Sequence, residues 1–397
     1  MNAFYRGLRA VISVLLRAFY RIETPVDPAG ALAMEGPVMF VGNHPNGMVD
    51  PGLVFVLARR HITFLAKAPL FSLPIVGALI RGMGALPVYR KQDDPTQMAK
   101  NAGTLDAAAD ALAGGRCITL FPEGKSHSEP QLQELKTGAA RIALMAAKKG
   151  AAVRIVPLGL TYSEKNRFRS AVHVEAGAPI LVKGDEDVNA LTAAIFSALR
   201  AVTLNLEQCE DLPLVRTAES LYALKTAQAS ADPERLKAFA RGMALLRTEQ
   251  PERFEKLKAE VLAVQRRLEL VQASPEDVVI QYQASGVARF VARNLFSLTM
   301  LPLFLVGMVL FVVPFWVPRV VVRVFRVARD IQATIKVVLL FLLTPLWWGL
   351  LTLLAWRYSG AAAAAVTFFG ALPLALYTRY YFERRSAALR DVRTFFV

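Results

Sequence analysis

Short apolar runs alternate with longer alanine- or leucine-rich runs along residues 37–182. The short runs are rich in β-formers and end at glycine, proline or polar residues, which indicates strands: PVMFVG, HITFLA, GALPVY, CITLFP, VRIVPLGLTY and AVHVEAG. The longer runs between them favour helices: DPGLVFVLAR, PIVGALIRGM, MAKNAGTLDAAADALAGG and TGAARIALMAAKKG. This alternation predicts an α/β domain over residues 30–184, with a mostly parallel sheet flanked by helices.

The strand pattern ends near residue 185, and residues 185–285 carry many charges together with signals for helix starts. Asp232 can cap a helix that has Pro233 in its first turn, and the pairing of proline with an acidic residue recurs at Pro251 and Pro275. No catalytic motif occurs in this stretch. We therefore predict a charged helical region that carries no chemistry.

A hydrophobic region at 290–397 contains three runs without charged residues, at 295–316, 337–356 and 359–378. Each approaches or exceeds the ~20 residues that cross a bilayer core as a helix. If all three crossed, the arginine-rich loop 317–336 would lie across the membrane from the catalytic domain, against the tendency of basic loops to stay cytoplasmic. We predict a multi-pass membrane protein with a cytoplasmic catalytic domain, in which 337–356 and 359–378 span and 295–316 re-enters or spans.

The first 25 residues have the pattern of a basic amphipathic helix. Apolar side chains recur at helical spacing, namely Phe4, Leu8, Val11, Leu15 and Phe19, and arginines are interspersed among them. Two interpretations fit this pattern. The helix lies in a membrane surface, or it packs on the surface of the domain itself.

Charge and cysteine content narrow the classes of partner. The net charge is +15, and residues 287–397 hold thirteen Lys/Arg against three Asp/Glu. Basic residues beside apolar runs favour phospholipid head groups over nucleic acid. Cys117 and Cys209 cannot form a disulfide framework, and neither has metal-ligand spacing with the four histidines. We expect a reducing compartment, no metal and no resident cofactor.

Candidate chemistry begins where the first strand of the domain ends. The stretch VGNHPNGMVDP places His44 and Asp50 on either side of an Asn-Gly turn. Alone, such a pair is more often an ordinary turn with a hydrogen-bonded histidine. Four further blocks follow in order, GALPVYR, FPEGKSHS, LKTGAAR and IVPLGLTY, and their order makes a catalytic pair the better interpretation.

This succession over residues 36–180 resembles the glycerolipid acyltransferase family, which includes glycerol-3-phosphate and 1-acylglycerol-3-phosphate acyltransferases. The resemblance implies a phospholipid/glycerol acyltransferase domain that moves a fatty acyl group from acyl-CoA or acyl carrier protein, as co-substrate, to a hydroxyl of a small phosphorylated acceptor. The family has four residues between its histidine and aspartate, whereas five separate His44 from Asp50. The Asn46-Gly47 turn can absorb one extra residue, because both residue types tolerate positive φ.

His44 is the predicted general base, because an imidazole with a pKa near 7 can accept the proton of an attacking hydroxyl. Asp50 is predicted to orient the ring and to stabilise the imidazolium. The rival interpretation uses Cys117 or Ser126 as a covalent nucleophile. Cys117 lies inside an apolar run, and Ser126 lacks a G-x-S-x-G context, so direct transfer to the alcohol is favoured.

The resemblance also implies a set of substrate-binding residues. Arg90, supported by Lys67, would bind the acceptor phosphate, and Glu123 would bind glycerol hydroxyls or a phosphate-binding arginine. Pro157 would contact the acyl donor, unless it only ends its strand. His127 lies in the polar loop just after FPEGK and is expected to be solvated. The full predicted set is Asn43, Lys67, Gly84, Arg90, Phe121, Pro122, Glu123, Gly124, Lys136, Gly138 and Pro157.

Two other functions stay open at this point. One is an acyltransferase for a different acceptor, such as another lysophospholipid or an amino-acid lipid. The other is a catalytically silent membrane-binding module. The presence of His44, Asp50, Arg90 and Glu123 together favours an enzyme.

Overall fold

The computed structural model describes residues 3–58, 60–90, 95–129, 131–206, 208, 211–226, 232–270, 288, 291–292, 295 and 299–395. Cys209 and Pro275 lie outside these residues. The chain divides into two compact units. One, here called the sheet unit, comprises Met1–Cys209 together with Ala328–Thr334; the other, the helical unit, comprises Glu210–Val327 and Ile335–Val397.

The sheet unit is built on eight strands in the order β1-β7-β6-β2-β5-β3-β4, with β8 also paired to β6. Their bounds are β1 Arg21–Ile22, β2 Val38–Gly42, β3 Ile62–Lys67, β4 Leu86–Val88, β5 Cys117–Leu120, β6 Arg154–Tyr162, β7 Ala171–Ala176 and β8 Ile180–Leu181. The pairings of β6 with β7 and β8 are antiparallel, and all the others are parallel. The predicted mostly parallel sheet is therefore confirmed.

Among the described residues of this unit, six α-helices accompany the sheet: α1 Ala3–Phe19, α2 Val49–Leu57, α3 Pro74–Gly82, α4 Asn101–Ala113, α5 Gly138–Lys148 and α6 Val188–Val202. Every residue of β2 and β5 is buried, as expected for parallel strands covered on both faces. One core cluster joins Met39 and Ile118 of these strands to Ile142 of α5 and Leu199 of α6. All six strands and four helices predicted for residues 37–182 are present.

The sheet unit is wider than the predicted 30–184 domain. Leu191, Ile195 and Leu199 put one side of α6 into the core, although this helix falls in the stretch predicted as charged. At the other end, the Ile62 amide donates to the Tyr5 hydroxyl of α1 at 2.8 Å. Both flanking helices thus complete the domain.

Helix α1 combines a packed face with an exposed apolar one. Tyr5, Leu16 and Phe19 are buried, which matches packing on the domain. Phe4 and Val14 remain exposed. Contact of this exposed stripe with a membrane stays a prediction.

The helical unit contains α7 Asp211–Lys225, α8 Pro233–Glu249, α9 Pro251–Leu270, α10 Leu301–Leu310, α11 Val312–Val324 and α12 Gln332–Phe395, whose first three residues lie in the sheet unit. The helix starts predicted at Pro233 and Pro251 are confirmed. The Asp232 side chain accepts from the Arg235 amide and so caps α8 as expected. Arg247 also binds the buried Asp211 at 2.8 Å, which ties α8 to α7.

The apolar helices are bent at two places. Helices α10 and α11 meet at an angle of 55°. Within α12, Gly360 has φ 82°, and the rings of Trp348 and Phe368 lie 5.5 Å apart. Because twenty residues of straight helix span ~30 Å, this contact requires α12 to fold back at Gly360. Runs 337–356 and 359–378 are therefore the two arms of a helical hairpin.

Among the described residues, the stretch Gln332–Phe382 is long and apolar enough to cross a membrane. The pair formed by α10 and α11 would be a second candidate if it is counted as one bent span or as a re-entrant loop. Length and composition thus support an apolar membrane segment. The number of spans and their orientation stay predictions.

Candidate active site

The loop between β2 and α2 brings His44 and Asp50 together. The His44 Nδ1 atom lies 2.9 Å from the Asp50 Oδ2 atom. The Asp50 side chain is 0% exposed, whereas 13% of the His44 side chain reaches the surface. Gly47 turns the loop with φ 34°, and Asn46 does not need positive φ. The pair is therefore in contact although five residues separate it, with Gly47 in the left-handed region at the turn.

Three donors converge on the buried Asp50 carboxylate. Besides His44, the Asn46 backbone amide donates to Oδ2 at 2.6 Å, and the Tyr162 hydroxyl donates to Oδ1 at 2.5 Å. Burial, reinforced by the charge of Asp50, holds the pKa of Tyr162 well above its ordinary value, so this hydroxyl stays a donor. Asp50 also lies in the first turn of α2, where the helix dipole favours a negative charge.

This arrangement fixes which nitrogen of His44 can act. An ionised carboxylate only accepts hydrogen bonds, so Nδ1 carries the proton and Nε2 keeps its lone pair. The ring stacks on Phe121 with centroids 4.3 Å apart and an interplanar angle of 16°. An imidazole held in this tautomer and plane can take a proton from a hydroxyl at Nε2.

Glu123 acts inside the protein rather than at an open surface. Its Oε1 atom accepts from the His44 amide at 2.9 Å, and its Oε2 atom accepts from the Gln133 amide at 3.0 Å. The His127 Nε2 atom binds the same Oε2. The expectation that His127 is solvated is wrong, because only 11% of its side chain is exposed and the buried Glu123 holds it.

Lys165 and Tyr20 complete the support of the loop. The Lys165 ammonium donates to the Pro45 carbonyl at 2.6 Å and to the Ser128 hydroxyl at 2.8 Å. Burial lowers the pKa of Lys165 from its ordinary value. The Tyr20 hydroxyl accepts from the Asn46 side-chain NH₂ at 2.9 Å and donates to the Lys165 carbonyl. Sequence reasoning missed both residues; for Lys165, the signal was its position just after the IVPLGLTY block.

The other predicted residues lie mostly at the carboxyl ends of parallel strands. Phe121 to Gly124 follow β5, Lys67 ends β3 and is exposed, and Arg90 follows β4 and is half-buried. Because these strands are parallel to β2, their carboxyl ends share the sheet edge that carries His44. Gly124 and Gly84 adopt φ 74° and 73°, the left-handed region that favours glycine.

Four predicted residues have structural surroundings that sequence could not specify. Both ends of the Asn43 amide bind the Leu160 backbone, at 3.0 and 2.8 Å. Pro157 is buried in the middle of β6, so it does not end the strand. The Lys136 amide donates to the Pro122 carbonyl at 2.7 Å while its side chain stays exposed, and Gly138 begins α5.

The rival nucleophiles have other surroundings. Cys117 is buried in β5, and burial raises the pKa of its thiol to about 12, which removes the reactive thiolate at neutral pH. The Ser126 hydroxyl donates to the Asp330 carboxylate at 2.6 Å. Within the described part of the chain, no cluster of three His, Cys, Asp or Glu residues could hold a metal ion.

Comparison with known proteins agrees with this geometry. Residues 21–161 match the family model described as Acyltransferase, which spans β1 to β6 and includes the His44–Asp50 pair. This part of the chain is therefore similar to an acyltransferase domain.

Three curated relatives are similar to part of the chain. The chain is 36% identical over 134 residues to Glycerol-3-phosphate O-acyltransferase 2 of Saccharomyces cerevisiae, covering 31% of this chain and 18% of the relative. It is 31% identical to 1-acyl-sn-glycerol-3-phosphate acyltransferase LPAT1, chloroplastic, of Arabidopsis thaliana, covering 37% and 38%. It is 28% identical to Lyso-ornithine lipid O-acyltransferase of Rhizobium meliloti, covering 34% and 44%. The chain spans less than half the length of each.

Proposed function

We propose that this protein is a membrane-bound O-acyltransferase that acylates a hydroxyl of glycerol-3-phosphate or 1-acylglycerol-3-phosphate in phospholipid synthesis. The observation that carries the proposal is the 2.9 Å contact between His44 Nδ1 and the buried Asp50 within the part of the chain that is similar to an acyltransferase domain. The yeast and plant relatives support the choice of acceptor through their names.

In this mechanism, His44 Nε2 removes the acceptor's hydroxyl proton while the oxygen attacks the thioester carbonyl. The new C–O bond forms, the C–S bond then breaks, and the imidazolium returns its proton to the departing thiolate. Asp50 stabilises the imidazolium without itself accepting the proton. General base catalysis of this kind contributes about 10²- to 10⁴-fold to the rate.

Arg90 and Lys67 are the proposed ligands of the acceptor phosphate. Both lie at the carboxyl ends of β3 and β4, on the sheet edge that carries His44. A planar guanidinium matches two phosphate oxygens, and a nearby ammonium adds a point charge. Glu123 belongs to the scaffold of the site in this proposal, because its carboxylate already serves His44, Gln133 and His127.

The donor is proposed to be acyl-CoA or acyl carrier protein, since both are acidic and the chain has a net charge of +15. The apolar stretch Gln332–Phe382 supports membrane attachment. The tendency of basic segments to stay cytoplasmic supports a catalytic domain on the cytoplasmic face. A protease-access tag inserted at residues 325–327, between α11 and the segment that precedes α12, should report the cytoplasmic side. A signal from the opposite side would contradict the proposed orientation.

The function is tested by incubating the detergent-solubilised full chain with labelled acyl-CoA, or acyl carrier protein, and single acceptors. The acceptors are glycerol-3-phosphate, dihydroxyacetone phosphate, 1-acylglycerol-3-phosphate and lyso-ornithine lipid. We expect label in a phosphorylated acceptor, and a labelling rate lower by about 10²-fold or more with His44→Ala. Label only in lyso-ornithine lipid would favour the second candidate, which the Rhizobium meliloti relative supports. Binding without transfer to any acceptor would indicate a silent module.

A further inference from the structure

One short segment from the far end of the chain lies in the sheet unit. Ala328–Thr334, here called the docking segment, links α11 to the first turn of α12 and groups with the sheet unit. The Met48 amide donates to the Thr334 hydroxyl at 3.1 Å, and the Ser126 hydroxyl donates to the Asp330 carboxylate at 2.6 Å. The Asn166 side-chain NH₂ donates to the Arg329 carbonyl at 3.0 Å. The segment thus binds three separate loops.

These three loops are the ones that support the catalytic pair. Met48 belongs to the loop that joins His44 to Asp50, and Ser126 follows the Glu123 that anchors the His44 amide. Asn166 is next to Lys165, whose ammonium holds the Pro45 carbonyl. A segment that binds all three loops therefore constrains the positions of the His44 imidazole and the Asp50 carboxylate without contacting either side chain through these bonds.

The closest approach is at the turn between His44 and Asp50. A Cβ atom added to Gly47 would lie 3.0 Å from the Thr334 Oγ1 atom, 3.1 Å from the Asp330 carbonyl oxygen and 3.1 Å from the Ile331 Cγ2 atom. These separations are tighter than ordinary van der Waals contact, so the backbone of the turn packs directly on the segment. Both this packing and φ 34° favour glycine here.

Other backbone groups of the turn bind within the domain. The Asn46 amide binds Asp50, the Asn46 carbonyl accepts from the Val49 amide, and the Met48 carbonyl accepts from the Gly52 amide. The Met48 backbone N–H instead donates to the Thr334 hydroxyl of the docking segment. The docking segment therefore supplies an acceptor for a backbone donor of the catalytic turn.

We infer that Ala328–Thr334 is a positioning element of the active site, in which Thr334 and Asp330 hold the Gly47–Met48 turn and Ser126 so that Asp50 stays aligned with His44. The inference rests on the proposed acyl transfer and deepens it. Neither residue reacts; each acts through the loop it binds. Acyl transfer then depends on a segment nearly three hundred residues away in sequence.

Activity of the full chain tests the inference through paired variants. Thr334→Val removes the hydroxyl that accepts from Met48 and keeps the side-chain shape, whereas Thr334→Ser keeps the hydroxyl. We expect Thr334→Val to lower kcat by roughly 3- to 10-fold, as the loss of one hydrogen bond allows, with acceptor KM changed less than about 2-fold. Thr334→Ser should keep kcat near the wild-type value, because its hydroxyl can still accept from the Met48 backbone N–H.

A second pair tests the packing at the turn. Gly47→Ala should lower kcat more than Thr334→Val does, because it adds the clash with the segment to backbone strain. Gly150→Ala is the matched control, since Gly150 also has positive φ, 88°, but a Cβ there meets nothing within 4 Å. Equal losses of kcat in the two alanine variants would overturn the positioning role and leave only strain.

Hydrogen exchange separates this inference from the proposed function. Over residues 43–50, we expect faster exchange in Thr334→Val than in the wild type, with β7 unchanged as internal reference. Unchanged exchange over 43–50 would overturn the docking itself. Faster exchange with unchanged kcat would overturn the positioning role. If the wild type acylates no acceptor but exchange responds as expected, the proposed function fails and the docking stands.

Discussion

Replacing Glu123 distinguishes a scaffold role from the substrate-binding role that family resemblance implies. Its side chain is 0% exposed and accepts from the His44 amide, the Gln133 amide and His127 Nε2. Glutamine keeps one acceptor oxygen but turns an NH₂ group toward a donor. Glu123→Gln therefore leaves at least one of these buried donors without its acceptor.

The expected loss of stability follows from the number of buried donors left without an acceptor. A buried donor left without its acceptor costs about 1–3 kcal/mol, so Glu123→Gln should lower the free energy of unfolding of the sheet unit by that amount. Glu123→Ala loses all three hydrogen bonds, and at roughly 3–9 kcal/mol its cost overlaps the ~5–15 kcal/mol that stabilises a typical domain. The glutamine variant is therefore the one to interpret.

Activity should change in kcat rather than in acceptor KM. Glu123 holds the backbone of His44, so its loss displaces the imidazole that takes the proton, while the proposed phosphate ligands Arg90 and Lys67 are untouched. We expect kcat to fall by about 10-fold or more, as misplacement of a catalytic group does, and acceptor KM to stay within about 3-fold.

All four tryptophans lie between residues 316 and 356, in the helical unit, so tryptophan fluorescence would not report unfolding of the sheet unit. Stability is therefore best measured by pulse proteolysis in urea, with the fragments that come from the sheet unit quantified. Glu134→Gln is the control: it makes the same change at an exposed position of the same loop and should shift stability by less than about 0.5 kcal/mol. If Glu123→Gln raised acceptor KM more than tenfold at unchanged stability, Glu123 would contact substrate and the scaffold role would be refuted.

Three further outcomes follow from buried groups near the site and in the core. Tyr162→Phe removes a buried donor to Asp50 and should destabilise the sheet unit by about 1–3 kcal/mol, whereas Tyr222→Phe, at an exposed tyrosine, should be near neutral in the same unfolding assay. In a Cys209→Ser background, Cys117 should resist a maleimide at pH 8 until urea unfolds the sheet unit, because burial raises its thiol pKa to about 12; rapid native labelling would refute this. Burial, with the charge of a nearby arginine, lowers the pKa of His61, so the unfolded chain binds a proton more readily than the folded one as pH falls through ~6.5. His61→Gln should therefore lose less stability than the wild type between pH 7 and pH 5 in urea unfolding.

Local patterns predict the sheet because the apolar spacing and the bounding turn residues of each strand and helix are contained within a few residues. The runs that became β2, β5 and β6 are apolar, short and bounded by turn residues, and Pro233 and Pro251 mark helix starts. Helix α6 was assigned to the charged region because its neighbours are charged. The apolar spacing of Leu191, Ile195 and Leu199 was nevertheless visible in the sequence and would have placed it in the core.

The candidate site was only partly predictable for a different reason. The order of the motifs pointed to His44 and Asp50, but the partners of a buried polar group depend on every donor within reach after folding. Glu123 binds His44, Gln133 and His127 for that reason, and nothing in FPEGK specifies it. The contact of Gly47 with Thr334 joins residues so far apart in sequence that no local pattern records it.

The central claim is that His44, oriented by Asp50, is the general base of an acyl transfer. The most direct test is the rate at which the solubilised full chain acylates its phosphorylated acceptor at saturating acyl donor, compared with His44→Ala. The account predicts a fall in kcat of about 10²- to 10⁴-fold, with hydrogen exchange of β2 unchanged. A His44→Ala protein that turns over at the wild-type rate would contradict the assignment.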